Sequence, residues 1–451
     1  MKKQILIAII VFAVFYFFRF YNIEHRVSFG WDQEQPAYQI KQLIQNYKPI
    51  LLGPRVVGDK GFFLAPYYTY ILVPFFLLSK LHPWAYLFFL LTYNMFFFFI
   101  SLDLLKKIFD FNHAVFFLLF WSINPMMAHY DVTSWNPIFI PLLIMTTFWL
   151  MKKISVDKHD LYYIFFGLLL GVGINMHFQF IFILFFSTFF LIISRKLLTL
   201  KKLILLIASF IFTFFPLLVF DLRHNFLNIN LFINFFTEAS RNTSNNIFSW
   251  IPVFTNFLEP IIYFKSQTTT FLFYLLAITI LVILIKRTQK FLRNFYISVL
   301  FLWLIFPFGF AKYGQRPSEY YFIFLYPFMY IIIINFFQTL KKSYFLYLFL
   351  IIMMMINLNK LKENFKSDNL SLIYRDKLIK NLIPLIKNKK FNISYTVPLG
   401  RDTGFKYLIE YYGIKQTNNW SDPLIQIKIP ADQSCQLKSG EMGIFIPPEL
   451  R

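Results

Sequence analysis

Basic pairs close every second apolar run along most of this chain, and that alternation constrains the fold more than any other feature. Lys2-Lys3, Lys106-Lys107, Lys152-Lys153, Arg195-Lys196, Lys286-Arg287 and Lys341-Lys342 stand at run ends. The runs between them approach the roughly twenty apolar residues that a membrane-spanning helix needs. Lys and Arg collect on the cytoplasmic side of membrane proteins, so the pairs set direction as well as spacing. Residues 4–20 then run outward and the polar stretch 21–65 lies outside. Residues 66–81, with Pro66, Pro74 and Pro83 at the centre and edges, read as a re-entrant or interfacial helix, because a crossing there inverts every later pair. Residues 84–105, 137–151, 178–193, 271–285 and 321–340 run inward, and 111–127, 161–176, 203–220, 295–311 and 344–358 run outward.

The expected fold is an all-α polytopic membrane protein of about eleven transmembrane helices, with interfacial helices in a first outer loop over 21–83. That unit covers 1–358. From 359 to 451 the composition turns to Lys, Asn, Asp and Ser, and the apolar runs shorten. Helices over 370–387 and 404–412 and strands over 391–397, 425–429 and 443–446 suggest a small α/β extracytoplasmic domain.

Composition supports the bilayer as solvent: 58% of residues are hydrophobic and 15% charged, too apolar for a water-facing fold. The formal charge of +22 sits in span-end pairs and forms no basic stripe, which argues against a nucleic-acid partner. Cys435 is the single cysteine, so the chain has no internal disulfide and no cysteine metal site. The first twenty residues resemble a signal peptide in charge and length, but no small-residue cleavage site follows, so they read as a retained span with a cytoplasmic amino end.

Charge inside a bilayer is expensive, so clusters of polar residues mark candidate sites. Almost all of them fall on the outer side. Asp32 and Glu34 lie in Trp31-Asp32-Gln33-Glu34-Gln35-Pro36, where Pro36 suits the first turn of a surface helix. They read equally as a capping acid with a solvated neighbour and as a functional pair. His129 and Asp131 lie between two spans beside Trp135, itself read as an interfacial anchor; His177 and Gln179 lie in a tight connection, where a hydrogen-bonded core histidine is the ordinary explanation. Arg223 and His224 follow residues 203–220, and Arg316, Glu319 and Tyr320 precede the tenth span; a salt bridge with snorkelling ends is the plain reading of each. Arg55 and Lys60 add cations to the first loop, and Arg55, Arg223 and Arg316 have the planar fork that holds a phosphate. No zinc motif, phosphate-cradling glycine loop or nucleophile elbow is present.

Asp32-Gln33-Glu34 after the first span, Ala65-Pro66-Tyr67-Tyr68, Trp135-Asn136-Pro137, His177-Phe178-Gln179 and Glu319-Tyr320-Tyr321 together resemble membrane glycosyltransferases of the C superfamily, in the protein-mannosyltransferase and aminoarabinose-transferase-like branch. The resemblance covers about the first 340 residues. It maps the family's first-loop Asp-x-Glu onto Asp32 and Glu34 and a second-loop acid onto Asp131; the lysine common before the aromatic run is replaced by Leu64 or Ala65.

The resemblance implies an inverting glycosyltransferase, hexosyl or pentosyl, in a prokaryotic cell membrane. It would move a sugar from a polyprenyl-phosphate-linked donor to a lipid, glycan or protein acceptor on the extracytoplasmic face. Asp32 is then the base, and Glu34 orients the acceptor or shares a Mg²⁺ or Mn²⁺ with Asp32. Arg55, Lys60, His129, Asp131, His177, Gln179, Arg223, His224, Arg316, Glu319 and Tyr320 are the candidate substrate contacts. The main alternative is a transporter or flippase of lipid-linked sugars, which calls for charges at mid-membrane in two matching halves. A non-catalytic assembly protein is a third reading, distinguished by tolerance of neutral replacements at Asp32 and Glu34.

Overall fold

The computed structural model describes residues 2–56, 61–241, 250–262, 266–312, 318–340, 343–387, 389–417, 419 and 421–450. Its helices are α1 (Lys2–Phe20), α2 (Trp31–Asn46), α3 (Tyr67–Leu78), α4 (Ala85–Ile108), α5 (Phe111–Ile123), α6 (Pro125–Tyr130), α7 (Ile140–Val156), α8 (Asp160–Met176), α9 (Ile181–Ile193) and α10 (Leu200–Phe212). They continue with α11 (Phe215–Arg223), α12 (Leu227–Arg241), α13 (Trp250–Ile262), α14 (Gln267–Arg287), α15 (Lys290–Lys312), α16 (Tyr326–Thr339), α17 (Ser343–Glu363), α18 (Leu372–Ile386) and α19 (Phe405–Tyr411).

Among the described residues seven helical segments are long and apolar enough to cross a bilayer: Lys2–His25, Ala85–Ile108, Asn136–Val156, Gln267–Arg287, Lys290–Ala311, Glu319–Thr339 and Tyr344–Glu363. The α10–α11 pair, bent by 55°, is an eighth if taken as one span. The three remaining expected spans fall on shorter apolar helices, Phe111–Ile123, Asp160–Met176 and Phe178–Ile193, which length alone does not make crossings. Tyr67–Leu78, expected not to cross, is of this short class as well.

Two of the basic pairs reach the end of another expected span. Lys152 Nζ donates to the carbonyls of Lys107 and Ile108, each at 2.8 Å, and Arg287 Nη1 donates to the Thr339 carbonyl at 3.2 Å. Lys341-Lys342 lie outside the described residues. Phenylalanines fill the bundle: the Phe148 ring meets Phe186, Phe295 and Phe328 at centroid distances of 6.0, 5.0 and 4.9 Å. Small residues bring α8 and α10 together. A Cβ built on Gly167 would lie 2.2 Å from the Leu206 carbonyl oxygen, and one on Gly171 2.1 Å from Thr213 Oγ1, so the Gly167-Leu168-Leu169-Leu170-Gly171 face admits no side chain.

The carboxy-terminal sheet has the order β1-β2-β4-β3, where β1 is Asn392–Thr396, β2 Leu424–Lys428, β3 Leu437–Ser439 and β4 Met442–Phe445. β1 and β2 are parallel, with α19 in the connection between them; the other pairs are antiparallel. Ile425 and Ile427 alternate inward, and α18 buries Leu378, Ile379 and Leu382.

This layer is tied to the start of the chain. The Asp368 and Leu372 amides donate to the carbonyls of His25 and Val27 at 2.9 and 2.8 Å, and Tyr407 Oη donates to the Leu81 carbonyl at 2.7 Å. Gly404, at φ +88°, lies so close to Phe29 that a Cβ would come within 2.2 Å of its carbonyl oxygen.

Candidate active site

Helix α2 begins earlier than Pro36 predicted. Gly30 is its N-cap, with Gln33 Oε1 accepting from the Gly30 amide at 2.9 Å, and Pro36 sits inside the helix. Asp32 and Glu34 are therefore helical at i and i+2, and at 3.6 residues per turn they project about 200° apart. Between them the Gln33 side chain donates to the Ser134 carbonyl at 2.7 Å, and Tyr86 Oη donates to the Gln33 carbonyl.

The two acids meet different surroundings. Asp32 lines a cavity of about 1240 Å³. Its carboxylate makes no hydrogen bond or ion pair with any described residue, and although the side chain is open to the cavity, desolvation by the surrounding protein raises its pKa. Glu34 is buried on the opposite side, where Oε1 accepts from the Tyr407 amide at 3.0 Å at the amino end of α19. Burial raises the Glu34 pKa as well, against the hydrogen bonds from the Tyr407 and Gly404 amides that lower it. Glu34 thus caps a helix of the carboxy-terminal layer. The expected pair of Asp32 and Glu34, with a divalent cation shared between them, therefore meets two carboxylates on divergent helix positions, and one oxygen of Glu34 is engaged. Among the described residues no three His, Cys, Asp or Glu side chains cluster as a metal site.

With Asp32 the cavity wall includes Arg55, Trp135, Asn136, His177, Gln179, Tyr320 and Tyr321; it also takes in Asn175, Asp221 and Asn228, and the remainder is mostly apolar, with Phe182, Phe185, Phe210, Phe214 and Phe232 among its residues. Arg55 rides on a folded-back loop. The Gly53 amide donates to the Leu64 carbonyl at 2.7 Å and the Val56 amide to the Phe62 carbonyl at 2.9 Å. Arg55 Nε donates to the Gly61 carbonyl at 2.7 Å, and the guanidinium lies 5.3 Å from the Phe63 ring centroid. Three side chains hold this loop, and two of them, Asn228 and Asn175, the sequence reading did not single out. Asn228 accepts from the Phe63 amide at 2.7 Å and donates to its carbonyl at 3.1 Å, as a neighbouring strand would. Asp221 Oδ1 fixes Asn228 by accepting its amide at 2.7 Å, and Asn175 Oδ1 accepts from the Ala65 amide at 2.9 Å.

His177 caps the turn Phe178–Phe180, and burial pushes its pKa down to about 4, so it is neutral at pH 7. Tyr320 stands 6.3 Å from the His177 ring and 4.8 Å from Trp135, within Coulombic reach of Asp32. Trp135 is therefore a buried wall residue and not an interfacial anchor.

Of the predicted contacts, Arg55, His177, Gln179 and Tyr320 share the cavity with Asp32, and the other described ones do not. Asp131 is buried in an ion pair, Oδ2 lying 2.7 Å from Arg19 Nη2 and accepting from Trp121 Nε1 at 2.8 Å. These contacts all fall on Oδ2, and Asp131 is not among the residues that line the cavity with Asp32. His129 and Glu319 border a separate pocket of about 250 Å³ with Lys360 and Glu363, and Glu319 accepts a hydrogen bond from Tyr130 Oη. Arg223 and His224 are exposed and outside the cavity wall, His224 stacking 4.1 Å from the Phe220 ring. Lys60 and Arg316 lie outside the described residues. Arg19 was legible as an arginine within an apolar run, which calls for a buried partner.

The helical bundle with its first-loop helix is similar in fold to two solved proteins, an ArnT and an oligosaccharyltransferase. ArnT from Cupriavidus metallidurans, in a structure bound to undecaprenyl phosphate, matches with a TM-score of 0.59 at 11% identity over 99% of this chain and 98% of that one. The Archaeoglobus fulgidus oligosaccharyltransferase matches with a TM-score of 0.55 at 14% identity over 90% of this chain; the match spans 59% of the larger protein. The oligosaccharyltransferase AglB from Archaeoglobus fulgidus, in complex with an inhibitory peptide and a dolichol-phosphate, gives a TM-score of 0.51 at 14% identity over 90% of this chain and 59% of that one. No protein-family model and no curated protein matches the sequence.

Proposed function

We propose that this protein is a glycosyltransferase that moves a sugar from a polyprenyl-phosphate-linked donor to a lipid, glycan or protein acceptor on the extracytoplasmic face of a prokaryotic cell membrane. The unit over 1–358 carries the reaction, with the amino terminus cytoplasmic, and 359–451 is an extracytoplasmic domain. The observation that carries this reading is the Asp32 carboxylate, without a partner among the described residues, on the wall of a cavity that also offers an arginine and a broad apolar lining. The lining suits a polyprenyl chain, and the Arg55 guanidinium suits its phosphate. The structural neighbours include a protein bound to undecaprenyl phosphate, which agrees with that class of donor.

The reaction is a single displacement. An acceptor hydroxyl oxygen forms a bond to the anomeric carbon as the bond from that carbon to the phosphate oxygen breaks. The electron pair leaves with the polyprenyl phosphate, the acceptor proton passes to Asp32, and the configuration inverts. Arg55 faces the negative charge that gathers on the phosphate. His177, neutral at pH 7, acts as a hydrogen-bonding group and not as a second cation.

The test is transfer of labelled sugar from polyprenyl-phosphate donors in reconstituted vesicles by wild type and Asp32→Asn. Transfer that needs the acid supports the proposal. Turnover near wild type in Asp32→Asn removes Asp32 from the base role, and label crossing the membrane independently of Asp32 without transfer makes the protein a transporter.

A further inference from the structure

Among the described residues, two that line the cavity carry between them three buried polar atoms without a hydrogen-bond partner. Gln179 is 3% exposed and neither its amide oxygen nor its amide nitrogen is bonded; Trp135 is 8% exposed and its indole N–H is likewise unpartnered. Buried polar groups are ordinarily satisfied, because each one left unpaired forfeits its hydration. Here the two residues line the cavity that also holds Asp32. Their turns are joined, since Asn136 Nδ2 donates to the Met176 carbonyl, and the Tyr320 ring packs against Trp135 on one side and His177 on the other.

The chemistry of these groups selects a ligand class. An amide offers one acceptor and two donors, and an indole offers one donor; none carries charge. His177 beside them is neutral at pH 7. A phosphate is better served by the guanidinium of Arg55. A ring bearing hydroxyls, each of which both donates and accepts, fits the unpaired set, and the Tyr320 and Trp135 rings supply apolar faces for its C–H groups.

We propose that Gln179 and Trp135 form the subsite that recognises hydroxyl groups of the donor's uncharged sugar, and so set which sugar is accepted. Naming the ring as the donor's sugar rests on the transferase reading above; recognition of a hydroxylated ring does not. A site built around a hydroxyl rejects the analogue lacking it, because its own polar groups are then left unpaired.

The test is equilibrium binding to the full-length protein in nanodiscs. The probes are undecaprenyl phosphate alone and undecaprenyl phosphate carrying glucose, galactose or mannose. Wild type is expected to bind at least one glycosylated lipid roughly 10- to 100-fold more tightly than the bare lipid phosphate. Gln179→Leu and Trp135→Phe are each expected to remove most of that preference by weakening the glycosylated lipid alone. Trp135→Phe removes the N–H while keeping an aromatic ring, smaller than the indole, against Tyr320, so it answers the question if Gln179→Leu fails to fold. Wild type with no preference for any glycosylated lipid, or folded variants that keep the preference, overturns the subsite. Preference without transfer in the vesicle assay supports the subsite and removes the transferase reading; transfer without preference removes the subsite alone.

Discussion

Replacing Asp131 with Asn should destabilise the fold without touching the reaction directly. Arg19 is fully buried and Asp131 is 6% exposed. Arg19 Nε donates to Asp131 Oδ2 at 2.8 Å, Nη2 donates to the Trp121 carbonyl at 2.9 Å, and the guanidinium lies 3.9 Å from the Phe15 ring centroid. Asp131→Asn retains an acceptor for Trp121 Nε1 but leaves a buried guanidinium without its counter-charge, a change that costs about 3–5 kcal/mol. Arg19→Met leaves the opposite charge stranded and should cost a similar amount. Combining the two substitutions removes both charges, and replacing a buried pair with apolar or neutral groups is often neutral. The double variant should therefore lie close to wild type, with a coupling energy of at least about 2 kcal/mol. The assay is denaturant unfolding of the four proteins in one detergent, followed by tryptophan fluorescence. Asp131→Asn as stable as wild type but raised in KM would refute the reasoning and return Asp131 to the substrate.

Asp32→Asn should lower kcat by about 10²- to 10⁴-fold, the span general-base catalysis contributes, with wild-type elution from a sizing column. Because desolvation raises the Asp32 pKa, stability associated with its neutral form is present below the ordinary carboxylate value and fades as pH climbs through the raised one. Activity follows the opposite sign, so the acid limb of a kcat/KM profile should lie above the usual aspartate value of about 3.9. Glu34→Gln keeps an acceptor for the Tyr407 amide and should leave transfer within a few-fold of wild type. Glu34→Ala orphans the amides of α19 and should weaken docking of the carboxy-terminal layer by about 1–3 kcal/mol, read as faster proteolysis near residue 400. Asn228→Ala unpairs both backbone groups of Phe63 and should raise donor KM more than it lowers kcat, measured in the vesicle assay.

What the sequence disclosed depended on the range of the interaction responsible. Span-end pairs such as Lys106-Lys107 and Lys152-Lys153 were readable because length, hydropathy and charge placement are local, and the folded chain brings Lys152 onto the end of α4. In the carboxy-terminal layer, strands predicted over 391–397 and 425–429 are found at Asn392–Thr396 and Leu424–Lys428, while β3, only Leu437–Ser439, is too short for alternation to register. The start of α2 was misplaced because Pro36 carries a strong first-turn signal, and Gly30 offers no side-chain oxygen to announce a cap. That shift turned two acids thought to share a loop into divergent helix positions. The amphipathic helices α12 and α13 went unread between spans, although α12 supplies Asn228. Asp131 illustrates the limit most clearly. Its partner lies 112 residues away in an apolar run, and proximity in a fold is what separates a binding acid from one neutralised by structure.

If Asp32 is the base proposed above, the first turn of α2 gives a physical reason for the Asp-x-Glu spacing. Asp32 needs one face open for an acceptor, so its own side chain cannot be tethered. The residues around it take the tethers. Gln33 is fixed through Ser134 and Tyr86, contributed by the loop after α6 and by α4, and Glu34 is fixed on the far side by the amino end of α19. A one-residue spacing would put the acids about 100° apart and crowd the capping contact toward the cavity; a three- or four-residue spacing would put both on the same face. Two residues give the largest divergence available within one turn. The carboxy-terminal layer therefore reaches the reaction through the backbone of a single helical turn, and loosening it should be felt as a loss of Asp32 placement, in kcat, before any loss of donor affinity.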